Sequence, residues 1–400
     1  MNVSAAPNRI NPPQNTVVKR RLDYIDALRG AACVWVLLHH TFSPLSAPAG
    51  VWHYPAEALV FVSRIGWLGV SLFLVLSGFC LFYPLAARYD LGEIRLNLAT
   101  FVRRRARRIL PPYYAALILL AALEMVVNRH YSGHWDRHVA LHSREDVLLH
   151  VLMLHNLRPD TITSVSPAFW SLALECQLYV VFPLLVWAAA RFGLKSILAG
   201  TFLVALVWQT LCFQHLGFSL IWPPKFAVYY HALPGRCFEF AAGMVAAGFV
   251  ARPRPGQSRI ALALILVPVL PALYFVSEVS RFGPLCDQVW GVIFASTLVY
   301  LCGIPNTLFE RNLVLRCLVW LGAISYSVYL IHLPFIWFIS PQVMHLPSSL
   351  SGDYTAGVLR LPILVCLGYL FHLAFERPFM PGRPRTERQA EDAAILSPAP

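Results

Sequence analysis

Arg29 and His40 stand eleven residues apart in an apolar stretch, Tyr24 to Ser43, that is long enough to cross a bilayer. At about 100° per residue the two positions differ by only about 20° around a helix axis and by roughly 16 Å along it, so both project from one face. An ionisable side chain in hydrocarbon either turns toward a bundle interior or water-filled cavity, where it marks a site, or snorkels to the surface. Two readings are therefore open for the pair. One is a polar pathway with a permanent cation at one end and a proton-exchanging group at the other; the second puts each residue at its own interface. Asp26, three residues before Arg29, can pair with it on the same face and lower the cost of burying either.

Further residues invite the same question. The string Phe101 to Tyr114 carries Arg103, Arg104, Arg105, Arg107 and Arg108 at the mouth of an apolar run. Such a cluster orients a span or contacts anionic lipid; alternatively, Arg105 and Arg108, three apart on one face, present two guanidinium forks to phosphate groups. Glu175 and Tyr179, four apart within Phe169 to Tyr179, can share a hydrogen bond. Glu175 is read equally as a chemical group or as a cross-helix partner for an arginine such as Arg236, and Glu239 beside Arg236 is read as structural. Ser325, Tyr329 and His332 fall at i, i+4 and i+7, a stripe that either glues helices together or lines a substrate cavity. His130, His134, His138 and His142 recur every four residues, a spacing that would suit a metal on a helix face. Ser132 and Gly133 weaken that helix, and no carboxylate or cysteine completes a ligand shell, so no metal is expected there.

The elements that must position these groups follow from composition. Of 400 residues 58% are hydrophobic and 13% charged, with a mean hydropathy of +0.59, well short of the quarter that is charged in a soluble chain. Ten apolar stretches can each span about 30 Å of hydrocarbon: Tyr24 to Ser43, Gly66 to Leu85, Ile109 to Val127, Ala168 to Ala190, Ser196 to Leu216, Ala227 to Val250, Ile260 to Val276, Cys286 to Gly303, Leu318 to Phe338 and Ala356 to Phe375. The expectation is an all-α, polytopic membrane bundle of about ten transmembrane helices. If the N-terminus is cytoplasmic, 22 of the 32 Lys and Arg fall in segments on that side and 7 on the other, with Arg29, Arg236 and Arg360 inside spans. The bias places both termini in the cytoplasm and explains the net charge of +12 without a nucleic-acid partner. The first stretch is too long and lacks a small-residue cleavage site, so it reads as a retained helix and not a signal peptide. Nine cysteines without a paired spacing read as apolar core residues. Residues 1–20 and 378–400 read as disordered cytoplasmic tails flanking one membrane domain, 21–377.

Five of these strings together resemble the acyltransferase type 3 family of polytopic membrane O-acyltransferases, which modify sugars of bacterial envelopes, secreted glycans and some natural products. IDALRG with His40 is similar to its first-helix signature and FLVLSGF, Phe73 to Phe79, to its second. RRARRILPPYY, Arg104 to Tyr114, resembles its Arg-x-x-Arg pattern, with Arg105 and Arg108 in the paired positions. FWSLALECQLYVVFPLL, Phe169 to Leu185, resembles its Trp-Ser-Leu and Glu block, and ISYSVYLIHLPFI, Ile324 to Ile336, its late-helix block. Members often have a second acidic residue in the fourth block, where this chain has Cys176. Many also carry an extracytoplasmic hydrolase-like domain, whereas this sequence ends about 25 residues after its last predicted span.

The resemblance implies a multi-pass protein of a bacterial inner membrane that moves an acyl group, acetyl above all, from cytoplasmic acyl-CoA to a hydroxyl of a carbohydrate or glycan. Acetyl-CoA would be a donor substrate, with no permanently bound cofactor. Arg29, Arg105 and Arg108 are then expected to hold the donor, and His40, with Glu175 and Asp26, to serve the chemistry, His40 removing the acceptor proton or briefly carrying the acyl group. Trp170, Ser325, Tyr329 and His332 are expected to contact the acceptor. The implied partners are acyl-CoA, a sugar or glycan, membrane lipids and, if transfer is not completed in the membrane, a separate extracytoplasmic transferase. The competing expectation is a transporter or proton-coupled exporter using Asp26, Arg29, Glu175 and His332 as a relay, for which no repeat is visible.

Overall fold

Backbone amides in lipid must be satisfied within their own segment, which leaves the helix as the natural element for apolar runs of this length. The computed structural model describes residues 23–46, 53–86, 96–130, 143–215, 225–268, 272, 283–339, 344–347 and 349–380, and among them there are helices and no strands. In chain order they are α1 (Asp23–Phe42), α2 (His53–Arg64), α3 (Leu68–Ala86), α4 (Leu98–His130), α5 (Arg144–Val151), α6 (Phe169–Phe192), α7 (Leu194–His215), α8 (Lys225–Tyr230), α9 (Leu233–Ala251), α10 (Gln257–Leu266), α11 (Cys286–Leu301), α12 (Asn306–Arg311), α13 (Leu313–Phe338) and α14 (Leu350–Phe371).

By length and composition six of these can cross a membrane: α3, α4 over Leu98–Leu123, α6, α7, α13, and α14 with its continuation to Phe379. α1 carries Asp23, Asp26 and Arg29 in its first two turns, and α9 carries Arg236 and Glu239. α10 and α11 are apolar but short. The predicted boundaries differ from the observed ones at three places. The segment 44–65, expected to be loop, contains α2, which is tied to α1 by Trp35 Nε1 donating to the Val62 carbonyl at 2.8 Å and His39 Nδ1 to that of Ser63 at 2.8 Å. The stretch Ala227 to Val250 is broken between α8 and α9, where Pro234 enters the first turn of α9. α4 begins eleven residues before the predicted Ile109: the Asn97 side chain accepts from the Thr100 amide at 2.9 Å, and the arginine run that follows is a good helix former. The arginines are thus on the same helix as the span.

Close approach in a bundle without a hydrophobic driving force needs small residues at the contacts. α1 and α13 run parallel and nest through Gly30 and Gly322: a Cβ on Gly30 would strike the Leu318 carbonyl, and one on Gly322 the Asp26 carbonyl. The same device joins the parallel pair α3 and α9, where Gly78 lies on the Phe240 carbonyl and Gly243 on that of Val75. α1 and α3 meet antiparallel, with Gly69 against Ala32. The main core, including Leu72, Val75, Phe79, Phe82, Phe182, Phe240 and Met244, fills the space among α3, α6 and α9. Tyr326 Oη donates to the Ile109 carbonyl at 2.9 Å and joins α13 to α4. These contacts leave the polar faces of α1, α3, α4, α6 and α13 turned toward a shared space.

Candidate active site

That space is a cavity of about 860 Å³, mouth included, lined by Arg29 from α1, Val70, Phe73, Leu74, Leu76, Ser77 and Cys80 from α3, Arg105, Arg108 and Ile109 from α4, Ser171, Leu172, Glu175 and Tyr179 from α6, and Ser325, Tyr326 and Tyr329 from α13. Three guanidinium groups face one carboxylate, a balance that suits an anion of more than one charge. Glu175 accepts hydrogen bonds from the hydroxyls of Ser77 and Tyr179. Arg105 lies over the Tyr179 ring, 5.9 Å from its centre. Arg29 pairs with Asp26 at 3.5 Å and reaches Cys80 Sγ at 3.5 Å. Neither Arg105 nor Arg108 forms a hydrogen bond or ion pair with another described residue, so their forks remain available.

The α13 stripe connects this cavity to the other end of α1. Ser325 and Tyr329 line the cavity; Tyr329 Oη lies 2.6 Å from Ser171 Oγ and donates to the Ala168 carbonyl at 3.2 Å. Its ring is 5.2 Å from that of His332, which is in turn 5.2 Å from that of His40. His332 is wholly buried and His40 half-buried, with the His39 ring 5.0 Å from that of His40. Among the predicted site residues the structure therefore brings Arg29, Arg105, Arg108, Glu175, Ser325 and Tyr329 to one cavity, with Asp26 behind Arg29, and joins His40 to His332 outside its lining. Glu175 and Asp26 belong to the arginine end. Trp170 is not among the lining residues and stacks on His231 at 5.1 Å.

Three other polar clusters lie apart from the cavity; the sequence points to a structural role for Glu239 beside Arg236 but misses the rest. Arg236 does not reach Glu175: it holds Glu239 through two nitrogens at 2.6 and 3.0 Å and also meets Asp287 at 3.2 Å, His231 at 2.9 Å and Ser71 at 3.0 Å. Gln209 donates to Asp287 at 2.6 Å and accepts from Gln288 at 3.0 Å. Beyond α14 the chain makes one π-helical turn, His372–Glu376, in which buried Glu376 accepts from His372 at 2.8 Å and from Ser327 of α13 at 2.5 Å. The only signal was a His and a Glu four apart at the end of an apolar run. Before α6, buried His150 and His155 stack at 4.1 Å, and burial pushes the His155 imidazole down to about 3, helped by the neighbouring His150. Among the described residues no group of His, Cys, Asp or Glu is arranged to hold a metal, while His134, His138 and His142 lie outside the described residues.

Comparison with known proteins gives this geometry a family. The chain is 25% identical over 346 residues to the peptidoglycan O-acetyltransferase OatA of Listeria monocytogenes, covering 79% of this chain and 50% of that protein. It is 26% identical over 325 residues to the putative peptidoglycan O-acetyltransferase YrhL of Bacillus subtilis, covering 76% and 50%. It is 22% identical over 341 residues to the O-acetyltransferase OatA of Staphylococcus aureus, covering 80% and 51%. The chain thus spans about half the length of these relatives. No solved structure matches it significantly. A family model described as an acyltransferase domain matches residues 22–377, and the chain accordingly belongs to the acyltransferase type 3 family.

Proposed function

We propose that the chain transfers an acetyl group from acetyl-CoA to a sugar hydroxyl of an envelope glycan, peptidoglycan being the acceptor that its relatives' names suggest. The observation that carries this is the convergence of Arg29, Arg105 and Arg108 on one cavity at the foot of a stripe, Ser325, Tyr329 and His332, whose far end is His40. The phosphates of the donor sit on the forks of Arg105 and Arg108, and Arg29, oriented by Asp26, adds a third cation. Glu175, fixed by two hydroxyls, limits the positive charge and orients Tyr179 beneath Arg105.

The acyl end of the donor points along the stripe, and its carbonyl reaches His40 once the cavity opens past Tyr329 and His332. Roughly 16 Å of α1 separates Arg29 from His40, so the anion and the reacting carbonyl occupy opposite ends of the path. His40 takes the proton of the acceptor hydroxyl as its oxygen attacks the thioester carbon; the C–O bond forms, the C–S bond breaks, and the proton passes to the departing thiolate. The Lys and Arg distribution supports a cytoplasmic N-terminus, which would put the arginine cavity on the side that holds acyl-CoA, in a bacterial inner membrane.

Membranes containing the chain, given radiolabelled acetyl-CoA and peptidoglycan fragments, are expected to place label in the glycan as an ester. His40→Ala should abolish labelling while the protein stays in the membrane at its usual level. Undiminished labelling by that variant would remove His40 from the chemistry, and no labelling by the unmodified chain would remove acetyl transfer itself.

A further inference from the structure

We infer that His332 is a positioning residue for His40, acting as the fixed hydrogen-bond acceptor that selects which nitrogen of His40 faces the substrate. This rests on the acyl-transfer reading above and assigns the base its orienting partner.

The tautomer of His332 is set by its surroundings. Its Nδ1 lies 2.7 Å from the Tyr329 carbonyl, and a carbonyl oxygen only accepts, so Nδ1 carries the proton. In the neutral ring Nε2 is then a bare lone pair. That atom is buried in a residue with no exposed surface and has no hydrogen-bond partner. A buried acceptor left unsatisfied costs about 1–3 kcal/mol, so its retention calls for a partner present in the working state.

His40 is placed to be that partner. The two rings are 5.2 Å apart between centres and tilted by 41°. With one nitrogen of each turned toward the other, such a separation corresponds to a hydrogen bond of about 3 Å. Reaching it takes a rotation of the His40 side chain, whose ring is half-buried, against a His332 ring that Tyr329 holds still. Among the described residues no carboxylate hydrogen-bonds or ion-pairs with His40; Asp26 and Glu175 lie at the arginine end, engaged with Arg29 and with Ser77 and Tyr179. The orienting role that a carboxylate fills in many acid–base sites therefore falls to a neutral imidazole. His40 donates its N–H to His332 Nε2, which leaves the lone pair on its other nitrogen for the acceptor hydroxyl. A neutral partner stabilises the protonated base less than a carboxylate would, so the proton taken from the hydroxyl is readily passed on to the thiolate.

Two substitutions separate positioning from packing. His332→Asn keeps an amide N–H at the place of Nδ1, so the bond to the Tyr329 carbonyl survives, but offers nothing toward His40. His332→Gln places an amide oxygen near the position of Nε2 and restores an acceptor. In the full chain, assayed with acetyl-CoA and peptidoglycan fragments after the folded yield has been matched by size-exclusion chromatography, His332→Asn should lower kcat by about 10²-fold with KM for acetyl-CoA within about twofold. His332→Gln should recover kcat to within about tenfold of the unmodified chain. A His332→Asn variant with kcat within threefold of the unmodified chain, or a His332→Gln variant slower than His332→Asn, would overturn the assignment. If the unmodified chain labels glycan and His40→Ala does not, such a result sinks the role of His332 alone; if the unmodified chain transfers nothing, it is the enzymatic reading that fails.

Discussion

Replacing Arg105 and Arg108 together by Gln should weaken donor binding without slowing the chemistry. Both guanidiniums line the cavity, and neither has a hydrogen bond or ion pair within the protein to lose, so the change leaves no carboxylate stranded. Each charge-assisted bond to a phosphate contributes about 1.5–3 kcal/mol, so losing two amounts to about 3–6 kcal/mol, or roughly 10²–10⁴ in affinity. Gln retains donors but not charge, which places the expected rise in KM for acetyl-CoA near the lower bound, about 10²-fold. In the proposed pose the phosphates would lie far from the thioester and bind alike in ground and transition states, so kcat at saturating donor should stay within about threefold. Steady-state kinetics with varied acetyl-CoA, at low and high salt, provide the test. The unmodified chain should show a KM that rises with ionic strength, and the double variant a much flatter dependence. A KM raised less than threefold, or a fall in kcat equal to that in kcat/KM, would refute a phosphate clamp at these two positions.

Helix packing supplies a sharper structural test. Gly322→Leu forces a side chain into the Asp26 carbonyl and must separate α1 from α13, so little folded protein should survive detergent extraction, whereas Gly200→Ala in α7, where nothing lies within 4 Å of the new Cβ, should be neutral or stabilising by about 0.5–1 kcal/mol in thermal unfolding. His155 predicts acid sensitivity. Its imidazole is held neutral to about 3 in the fold against an ordinary 6.5 in the unfolded chain, so the unfolded state binds the proton first and stability falls as pH drops from about 6.5 toward 3, by up to about 1.4 kcal/mol per pH unit. Thermal midpoints measured between pH 7 and 4 should flatten in His155→Phe relative to the unmodified chain, and equal slopes would exclude this residue. Glu376→Ala strands the donors of Ser327 and His372 and should destabilise by about 2–4 kcal/mol, more than Ser327→Ala alone.

Much of the bundle was legible because lipid imposes a length: α3, α6, α7 and α13 lie where runs of about 20 apolar residues put them. Periodicity put Arg29 on one face of α1 and Ser325 and Tyr329 on one face of α13 but left open whether those faces line a site, snorkel or glue helices together; in the structure all three line one cavity. What the sequence concealed were contacts between residues far apart in the chain. Asp287 sits at the first turn of a short apolar helix, and nothing nearby signals that Gln209 and Arg236 close around it. The helical periodicity placed Arg29 and His40 on one face but could not show that the cavity stops at Tyr329 and that His332 stands between it and His40. Glu376 was hidden by a π-helical turn that shifts the register just where the predicted span ends.

The contrast between buried Arg236 and the half-buried arginines of the cavity separates scaffold from site. Arg236 has five N–H groups, and they meet two oxygens of Glu239, His231, Ser71 and Asp287. It is 1% exposed and draws α3, α9 and α11 together through four hydrogen bonds and an ion pair to Asp287. Removing one partner from such a knot is expected to unfold the bundle before it alters any reaction. Arg105 and Arg108 are the opposite case. Their helix is fixed by Asn97 at its start and by Tyr326 at Ile109, yet the side chains themselves are committed to no partner beyond the face of Tyr179. A protein that spends rigid backbone on holding uncommitted guanidiniums in a cavity stabilises the unliganded state poorly, because the like charges repel. An anion entering the cavity would relieve that repulsion, and in the proposed reaction that differential is what would draw the donor's phosphates to Arg105 and Arg108.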